Sequence, residues 1–226
     1  MKLYDEIIFG EFICRPNRFI AHVKTEFGTE ICHVKNTGRC RELLVPGAQV
    51  TLAVGKNPDR KTRCDLVAVK KGDLYINMDS QAPNLAAGEA LPALFPGLTL
   101  LRPETFYGES RLDFYLEQGE KKTFVEVKGV TLEESGVAYF PDAPTERGIK
   151  HLKTLEACKQ EGYGAVLLLV IQMKGVRRFE PNRKTHPAFA DALLHACKSG
   201  VQIMAYDCNV APDSMTICNP VPILLE

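Results

Sequence analysis

The twenty residues from Arg111 to Val130 restrict the possible folds of this chain more than any other stretch. They read RLDFYLEQGEKKTFVEVKGV, two runs of alternating apolar, aromatic and β-branched residues around the polar turn Gln118-Gly119-Glu120-Lys121. A short polar turn with a glycine between two such runs is the signal of a β-hairpin. With the turn centred between Gly119 and Glu120, Asp113 stands opposite Glu126 and Arg111 opposite Lys128. Side chains alternate along strands, so Asp113, Glu126 and Lys128 share one face, and Leu112, Phe114, Val125 and Val127 take the other. A bulge near the turn would slide this register and undo the opposition.

Two carboxylates a few ångströms apart repel unless a cation lies between them, and carboxylate oxygens are the ligands Mg²⁺ prefers. A lysine two residues beyond the second carboxylate then lies where it can position a water or neutralise charge on a phosphate. The alternative is a solvated hairpin with a cross-strand ion pair, since this spacing of Asp, Glu and Lys arises often by chance. The apolar surroundings of Glu126 in VEVKGVTL read as an interior strand, where charges seldom sit without a function or a partner.

Before the hairpin, from Ile7 to about Ser80, six short strand-like runs separated by Gly, Pro, Asn or Asp predict a small β-barrel. One helical candidate, Arg39 to Leu44, falls between the third and fourth runs, a position compatible with an OB-fold; the pattern alone also fits an SH3-like barrel. Composition shifts to Ala, Leu, Pro and Gly between Ser80 and Gly97, which places a domain boundary there and a helix from Asn84 whose one acid is Glu89. After the hairpin a helix is expected from about Thr145 to Glu161, with Ile149, Leu152, Leu155 and Cys158 as its apolar stripe. Glu146, Arg147, Lys150 and His151 lie off that stripe. Lys150 is the best placed of them to approach the hairpin, with a solvated charged face as the competing reading. GAVLLLVIQ (164–172), a helix from Pro187 to Ser199 and a strand from Val201 to Tyr206 then alternate as in an α/β domain, and the tail MTICNPVPILLE reads as an edge strand or strap.

Twenty-eight basic residues balance twenty-eight acidic ones, so attraction to nucleic acid must come from local patches. Arg15 with Arg18, Lys35 with Arg39 and Arg41, and the Lys56–Arg63 stretch with Arg60, Lys61 and Arg63 are such patches, followed later by Arg177, Arg178, Arg183 and Lys184. Basic loops of both halves are expected to face a common groove. Asn36-Thr37-Gly38-Arg39 opens the short helical candidate and reads either as a phosphate-binding helix start or as a capped turn. His22 and His33 read as packed or surface histidines. Eight scattered cysteines show no zinc spacing and are expected to be reduced, in a cytoplasmic protein without a membrane span or signal peptide. No Rossmann or P-loop glycine pattern, serine elbow or zinc signature is present, so a carbohydrate or small-molecule enzyme has little support.

Four segments, HVKNTGRCRELL (33–44), YGESRLDF (107–114), VEVKGVTL (125–132) and FPDAPTERGIKHL (140–152), resemble in that order the sugar fermentation stimulation protein A (SfsA) family over essentially the whole chain. The resemblance implies an α+β protein of two domains: an OB-fold-like nucleic-acid-binding barrel over 1–80 and an α/β domain over 81–226 similar to the PD-(D/E)xK nucleases. It places the nuclease motif on Asp113, Glu126 and Lys128, adds Glu89 as a further metal ligand and Lys150 as a helix residue near the site, and makes Mg²⁺ or Mn²⁺ the expected metal. Leu112 departs from the proline that many such nucleases carry at this point. The implied function is DNA binding with little sequence specificity and metal-dependent phosphodiester hydrolysis; the alternative is a non-catalytic DNA-binding regulator of sugar (maltose) metabolism.

Overall fold

The structure, a computed structural model, describes residues 1–36 and 38–226. Its first half is a barrel of β1 (Ile7–Asn17), β2 (Ile20–Thr25), β3 (Gly28–Val34), β4 (Gln49–Val54) and β5 (Cys64–Lys71). β1 pairs with both β2 and β4, and a short parallel pairing of His33 with Asp65 and Val34 with Leu66 joins β3 to β5. The circuit closes without a free edge. β1 can serve two neighbours because it is long and its register with β2 shifts after Phe12 and again after Cys14, which bends it around the barrel. Phe12, Ala21, Val23, Cys32 and Val34 point inward and are buried, as strand alternation requires. This is the OB-type barrel expected from the sequence.

The connection between β3 and β4 differs from expectation. Arg39–Leu44 forms a single turn, in which the Leu43 and Leu44 N–H groups both reach the Cys40 carbonyl, at 3.3 and 2.9 Å. One turn ahead of Pro46-Gly47 is too short to repay helix nucleation, and Cys40 itself sits at φ 46°, outside the helical basin. Burial of Cys40, Leu43 and Leu44 stabilises the turn instead.

β6 (Leu74–Asn77) extends β5 and leads into the second domain, a sheet ordered β15-β14-β12-β9-β8-β7. Its strands are β7 (Leu100–Tyr107), β8 (Ser110–Gln118), β9 (Lys121–Val130), β12 (Gly164–Ile171), β14 (Gln202–Ala211) and β15 (Ser214–Pro220). The central three, β9, β12 and β14, are parallel, and the tail supplies the antiparallel edge strand β15. β10 (Leu132–Glu134), β11 (Val137–Phe140) and β13 (Arg178–Pro181) form a small separate sheet. Helix α1 (Ala82–Leu94) covers one face of the large sheet, burying Ala82, Ala86, Ala87 and Leu91 against Val125, Val127, Val166 and Leu168. On the other face lie α2 (Glu146–Gln160), with Leu152, Leu155 and Cys158 buried, and α3 (Pro187–Lys198). No helix is long and apolar enough to cross a membrane.

A buried amide locks the two domains together. Gln172, at the end of β12, donates from Nε2 to the Asn77 carbonyl and side chain, both at 3.0 Å, and to the Asp79 carbonyl at 3.1 Å. Its backbone joins the Val130 carbonyl to the Asn77 N–H. Beside it Gly129 has no room for a side chain, because a Cβ there would stand 2.4 Å from Gln172 Oε1 and 2.7 Å from Pro83 Cγ. That close approach seats the start of α1 on β9. Replacing Gln172 with the similarly sized Leu takes a donor from three buried oxygens, of which Asn77 Oδ1 keeps the Asp79 N–H, so Gln172→Leu is expected to lower unfolding stability by about 2–3 kcal/mol in urea melts. A change within a few tenths would show that the amide does not hold the junction.

Candidate active site

The β8–β9 turn places Gly119 at φ 60°, the left-handed geometry that two-residue hairpin turns favour. Pairing then runs in the expected register from Gln118 with Lys121 to Phe114 with Val125. It stops one step before Asp113 would meet Glu126. The Asp113 side chain takes the place of the ladder there, accepting the Val127 N–H on Oδ2 at 2.7 Å and Asn84 Nδ2 of α1 on Oδ1 at 2.8 Å. Leu112 consequently leaves the face that strict alternation predicts: it packs into the core beneath α2, while Phe114, Val125 and Val127 pack beneath α1.

Glu126 is 1% exposed. Its Oε1 accepts from Lys128 Nζ at 2.5 Å and from His151 Nδ1 of α2. Arg147 Nε donates to His151 Nε2 at 3.3 Å, which assigns the ring proton to Nδ1 and fixes the direction of the bond to Glu126. Lys128 Nζ and His151 Nδ1 are therefore two donors meeting at one oxygen. The other oxygen, Oε2, is buried and has no hydrogen-bond partner. Leaving a carboxylate oxygen bare in the interior is costly, so this atom points to a ligand.

The two acids are tuned apart. Burial, then the nearby Glu126 charge, raise the Asp113 pKa against the opposing Val127 N–H and Asn84 bonds. Burial also pushes Glu126 upward, but His151 and Lys128 outweigh it and hold that carboxyl below its ordinary value. The oxygens a cation here would draw on are Glu126 Oε2, which has no hydrogen-bond partner, and the Asp113 carboxylate, which already accepts from Val127 and Asn84; the Val127 carbonyl lies, in an extended strand, on the same side as the N–H that Asp113 accepts. That is an all-oxygen set suited to a hard divalent ion that keeps part of its water. Among the described residues no group of three or more His, Cys, Asp or Glu side chains converges as a metal cage.

Lys150 and Glu89 do not join this centre. Lys150 is exposed, one residue and therefore roughly 100° around α2 from His151. Glu89 pairs with the Met1 amine at 3.2 Å, and that amine also bonds Met215 and Thr216 on β15, four strands from β8. α1 approaches the hairpin through Asn84 instead. His151 was legible in outline, for it stands three residues after Gly148 and four before Leu155, both buried, on the border of the apolar stripe. Asn84 carried no signal beyond its place near the start of α1.

The basic residues divide into structural and available ones. Arg15 spends its guanidinium on the carbonyls of Arg18, Asn36, Gly38 and Arg39, and Lys35 pairs with buried Asp79 at 2.7 Å. Arg60 is bound to Asp65, Arg63 reaches Glu30 at 3.2 Å, and Lys61 is exposed. Without a helix at Arg39–Leu44 the helix-start phosphate site is also lost: Asn36 Oδ1 takes the Gly38 N–H at 2.7 Å, Asp142 takes the Cys40 N–H at 2.8 Å, and Thr37 lies outside the described residues. Two cavities open along the domain seam. One, of about 410 Å³, is lined by Arg18, Asn36, Gly129 and Thr131 beside the hairpin. The other, of about 420 Å³, is lined by the four bases Arg39, Arg41, Arg183 and Lys184 and by five acids, Asp142 and Glu180 among them. Basic side chains of both domains thus share the seam, whereas Arg60, Lys61 and Arg63 line neither cavity.

Removing one partner of a buried pair exposes its cost. Lys128→Met is expected to lower stability by roughly 3 kcal/mol at neutral pH in the metal-free protein. Glu126 has a depressed folded-state pKa, so its stabilising share is complete above the ordinary glutamate value of about 4.3 and is lost as pH falls through the folded value. The gap between variant and wild type in denaturant melts should therefore shrink on acidification; a gap that stays constant to pH 3 would contradict the pairing.

Residues 13–78 match the family model described as the SfsA N-terminal OB domain, and residues 81–214 match the sugar fermentation stimulation protein RE domain. A sugar fermentation stimulation protein homolog of Clostridium beijerinckii is 52% identical over 224 residues, covering 98% of this chain and 99% of its own. One from Desulfitobacterium hafniense is 55% identical over 213 residues, covering 94% and 93%. The solved structure of Pyrococcus furiosus SfsA, in complex with Ca²⁺, superposes with a TM-score of 0.89 at 27% identity over 99% of both chains. An OB-type barrel followed by an α/β domain, with these relatives over nearly the full length, places the chain in the SfsA family.

Proposed function

We propose that this protein is a nucleic-acid-binding, divalent-cation-dependent nuclease whose centre is formed by Asp113, Glu126 and Lys128. The observation that carries the reading is the bare, buried Oε2 of Glu126 beside a second acid whose pKa the Glu126 charge helps to raise. Asp113, Glu126 Oε2 and the Val127 carbonyl would hold Mg²⁺ or Mn²⁺, and a Ca²⁺ complex of the Pyrococcus relative is in keeping with a hard-cation site in this family. Such an ion supplies charge neutralisation and Lewis-acid polarisation of a phosphodiester. Lys128 would set a positive charge near the attacking water; that water's oxygen would bond to phosphorus as the bond to the leaving sugar oxygen breaks, the water's proton passing to solvent and the leaving oxygen taking one from solvent. His151, held by Arg147, fixes the Glu126 carboxylate so that Oε2 faces the ion; it is a positioning residue.

The seam supports the substrate assignment. Its Arg18, beside the hairpin, and Arg39, Arg41, Arg183 and Lys184, set among acids in the neighbouring cavity, would meet backbone phosphates at separate points, and no helix-turn-helix is present among the described residues, so binding is expected to depend weakly on sequence. The eight free thiols and the absence of any helix able to cross a membrane are in keeping with a cytoplasmic location.

Asp113→Asn keeps the side-chain shape and removes one charge. It is expected to weaken Mn²⁺ binding by tenfold or more, measured by calorimetry, and to abolish Mg²⁺- or Mn²⁺-dependent cleavage of single-stranded, duplex and branched DNA and of RNA, while DNA binding persists or tightens. Lys128→Ala should retain Mn²⁺ and lose turnover. A wild type that cleaves none of these substrates, or cleavage that Asp113→Asn leaves unchanged, rules out the catalytic reading and leaves a DNA-binding regulator.

A further inference from the structure

The seam cavity of about 420 Å³ has a composition that a phosphate groove alone does not call for. Its size is that of a small-molecule site. Arg39, Arg41 and Glu42 reach it from the β3–β4 connection of the barrel, Glu134 from β10, and Lys184 from the segment after β13. Leu132, Tyr139, Pro181 and Leu225 put apolar wall among these charges, and Leu224, 46% exposed, adds one more apolar side chain.

Opposite charges lining one small cavity ordinarily neutralise each other. Here they do not: among the described residues Arg39, Arg41, Lys184, Glu42 and Glu134 form no ion pair, either with each other or with any other group. Three further charged groups of the wall are engaged elsewhere, Arg183 with Asp191 at 2.7 Å, Glu180 with Arg178 at 2.5 Å, and Asp142 with the Cys40 N–H at 2.8 Å. Glu42 carries the clearest sign of a missing partner. Its Oε1 is buried without a hydrogen bond, and burial, followed by the Asp142 and Glu134 charges, pushes the carboxyl above its ordinary value. A cation seated beside it relieves both costs.

The rest of the wall narrows the ligand. A bare divalent ion is opposed by Arg41, next to Glu42 in the chain, and leaves the apolar side chains unused. A purely anionic ligand meets the unpaired Glu42 and Glu134, and a purely cationic one meets the unpaired Arg39, Arg41 and Lys184. One positive and one negative charge on an apolar body satisfy all three parts, and a carboxylate matches the fork of an arginine without the second charge of a phosphate.

We infer that this cavity binds a small zwitterion, a free apolar α-amino acid, with its ammonium toward Glu42 and Glu134, its carboxylate toward Arg39, Arg41 and Lys184, and its side chain against Leu132, Tyr139 and Pro181. The site itself does not depend on the nuclease reading. Its consequence does, because the same bases are those that reading gives to backbone phosphates. Leu132, Tyr139 and Asp142 also line the cavity beside the hairpin, so an occupied site opposes nucleic-acid binding along the seam.

Calorimetric titration of the protein with each of the twenty free L-amino acids, up to about 10 mM, should give saturable binding for one or more of the apolar ones. The tightest binder is then compared with its amide, which lacks the negative charge, and with its deaminated acid, which lacks the positive one; each should bind about tenfold more weakly or worse. Glu42→Gln and the exposed Arg41→Gln should each weaken the amino acid roughly tenfold with circular dichroism unchanged, and Arg41→Gln decides alone if the buried substitution unfolds the protein. Saturable binding by no amino acid, an amide or deaminated acid as tight as its parent, or an affinity that Arg41→Gln leaves unchanged would overturn the inference. In EDTA the same amino acid should weaken binding of a fluorescent oligonucleotide. Amino-acid binding that leaves oligonucleotide affinity unchanged would support the site while removing these bases from the nucleic-acid path.

Discussion

The Asp113 carboxylate, by accepting the Val127 N–H, is the interaction on which the arrangement of this centre depends. It replaces a rung of the β8–β9 ladder and so ends pairing where a continuous hairpin would have closed. The opening turns Asp113 toward β9, frees the adjoining strand of β8 to pack beneath α2, and leaves Glu126 close enough to influence the Asp113 pKa. A sheet that remained fully paired would hold the same residues with less room for a ligand between them.

Around that opening the fold supplies opposed demands. Glu126 is buried, which alone would neutralise it, yet Lys128 and His151 both donate to one of its oxygens and keep it charged. Both donors are delivered by regular elements, Lys128 by alternation along β9 and His151 by the packed face of α2. α1 contributes Asn84 from the other side, and it lies close because Gly129 has no side chain. An interior arrangement so fully braced on one oxygen and bare on the other is a distribution of polar groups expected of a ligand site rather than of a structural ion pair.

How much of this was readable follows from the range of the interactions involved. The hairpin register, the six strands β1 to β6, five of which form the barrel, and the helices at Glu146–Gln160 and Pro187–Lys198 are set by local alternation, glycine turns and apolar stripes, and they stand within a residue or two of their expected positions. Arg39–Leu44 failed because its pattern was helical but its length was one turn and its Cys40 N–H was taken by Asp142, a hundred residues away. Leu112 failed for a related reason: alternation cannot foresee a side chain that substitutes for a ladder bond. Among site residues, Asp113, Glu126 and Lys128 lie on one hairpin and could be placed by counting. Asn84 and His151 reach them across tertiary contacts, and Lys150 and Glu89 were expected from the nuclease resemblance, whereas helix phase turns Lys150 away and Glu89 pairs with the Met1 amine.

Anomalous diffraction from Mn²⁺-soaked crystals tests the central claim most directly. The account predicts one strong peak within about 2.3 Å of Glu126 Oε2 and of an Asp113 oxygen, lost in Asp113→Asn crystals soaked identically. A peak only elsewhere, or none, with Glu126 Oε2 still without a partner, would contradict it.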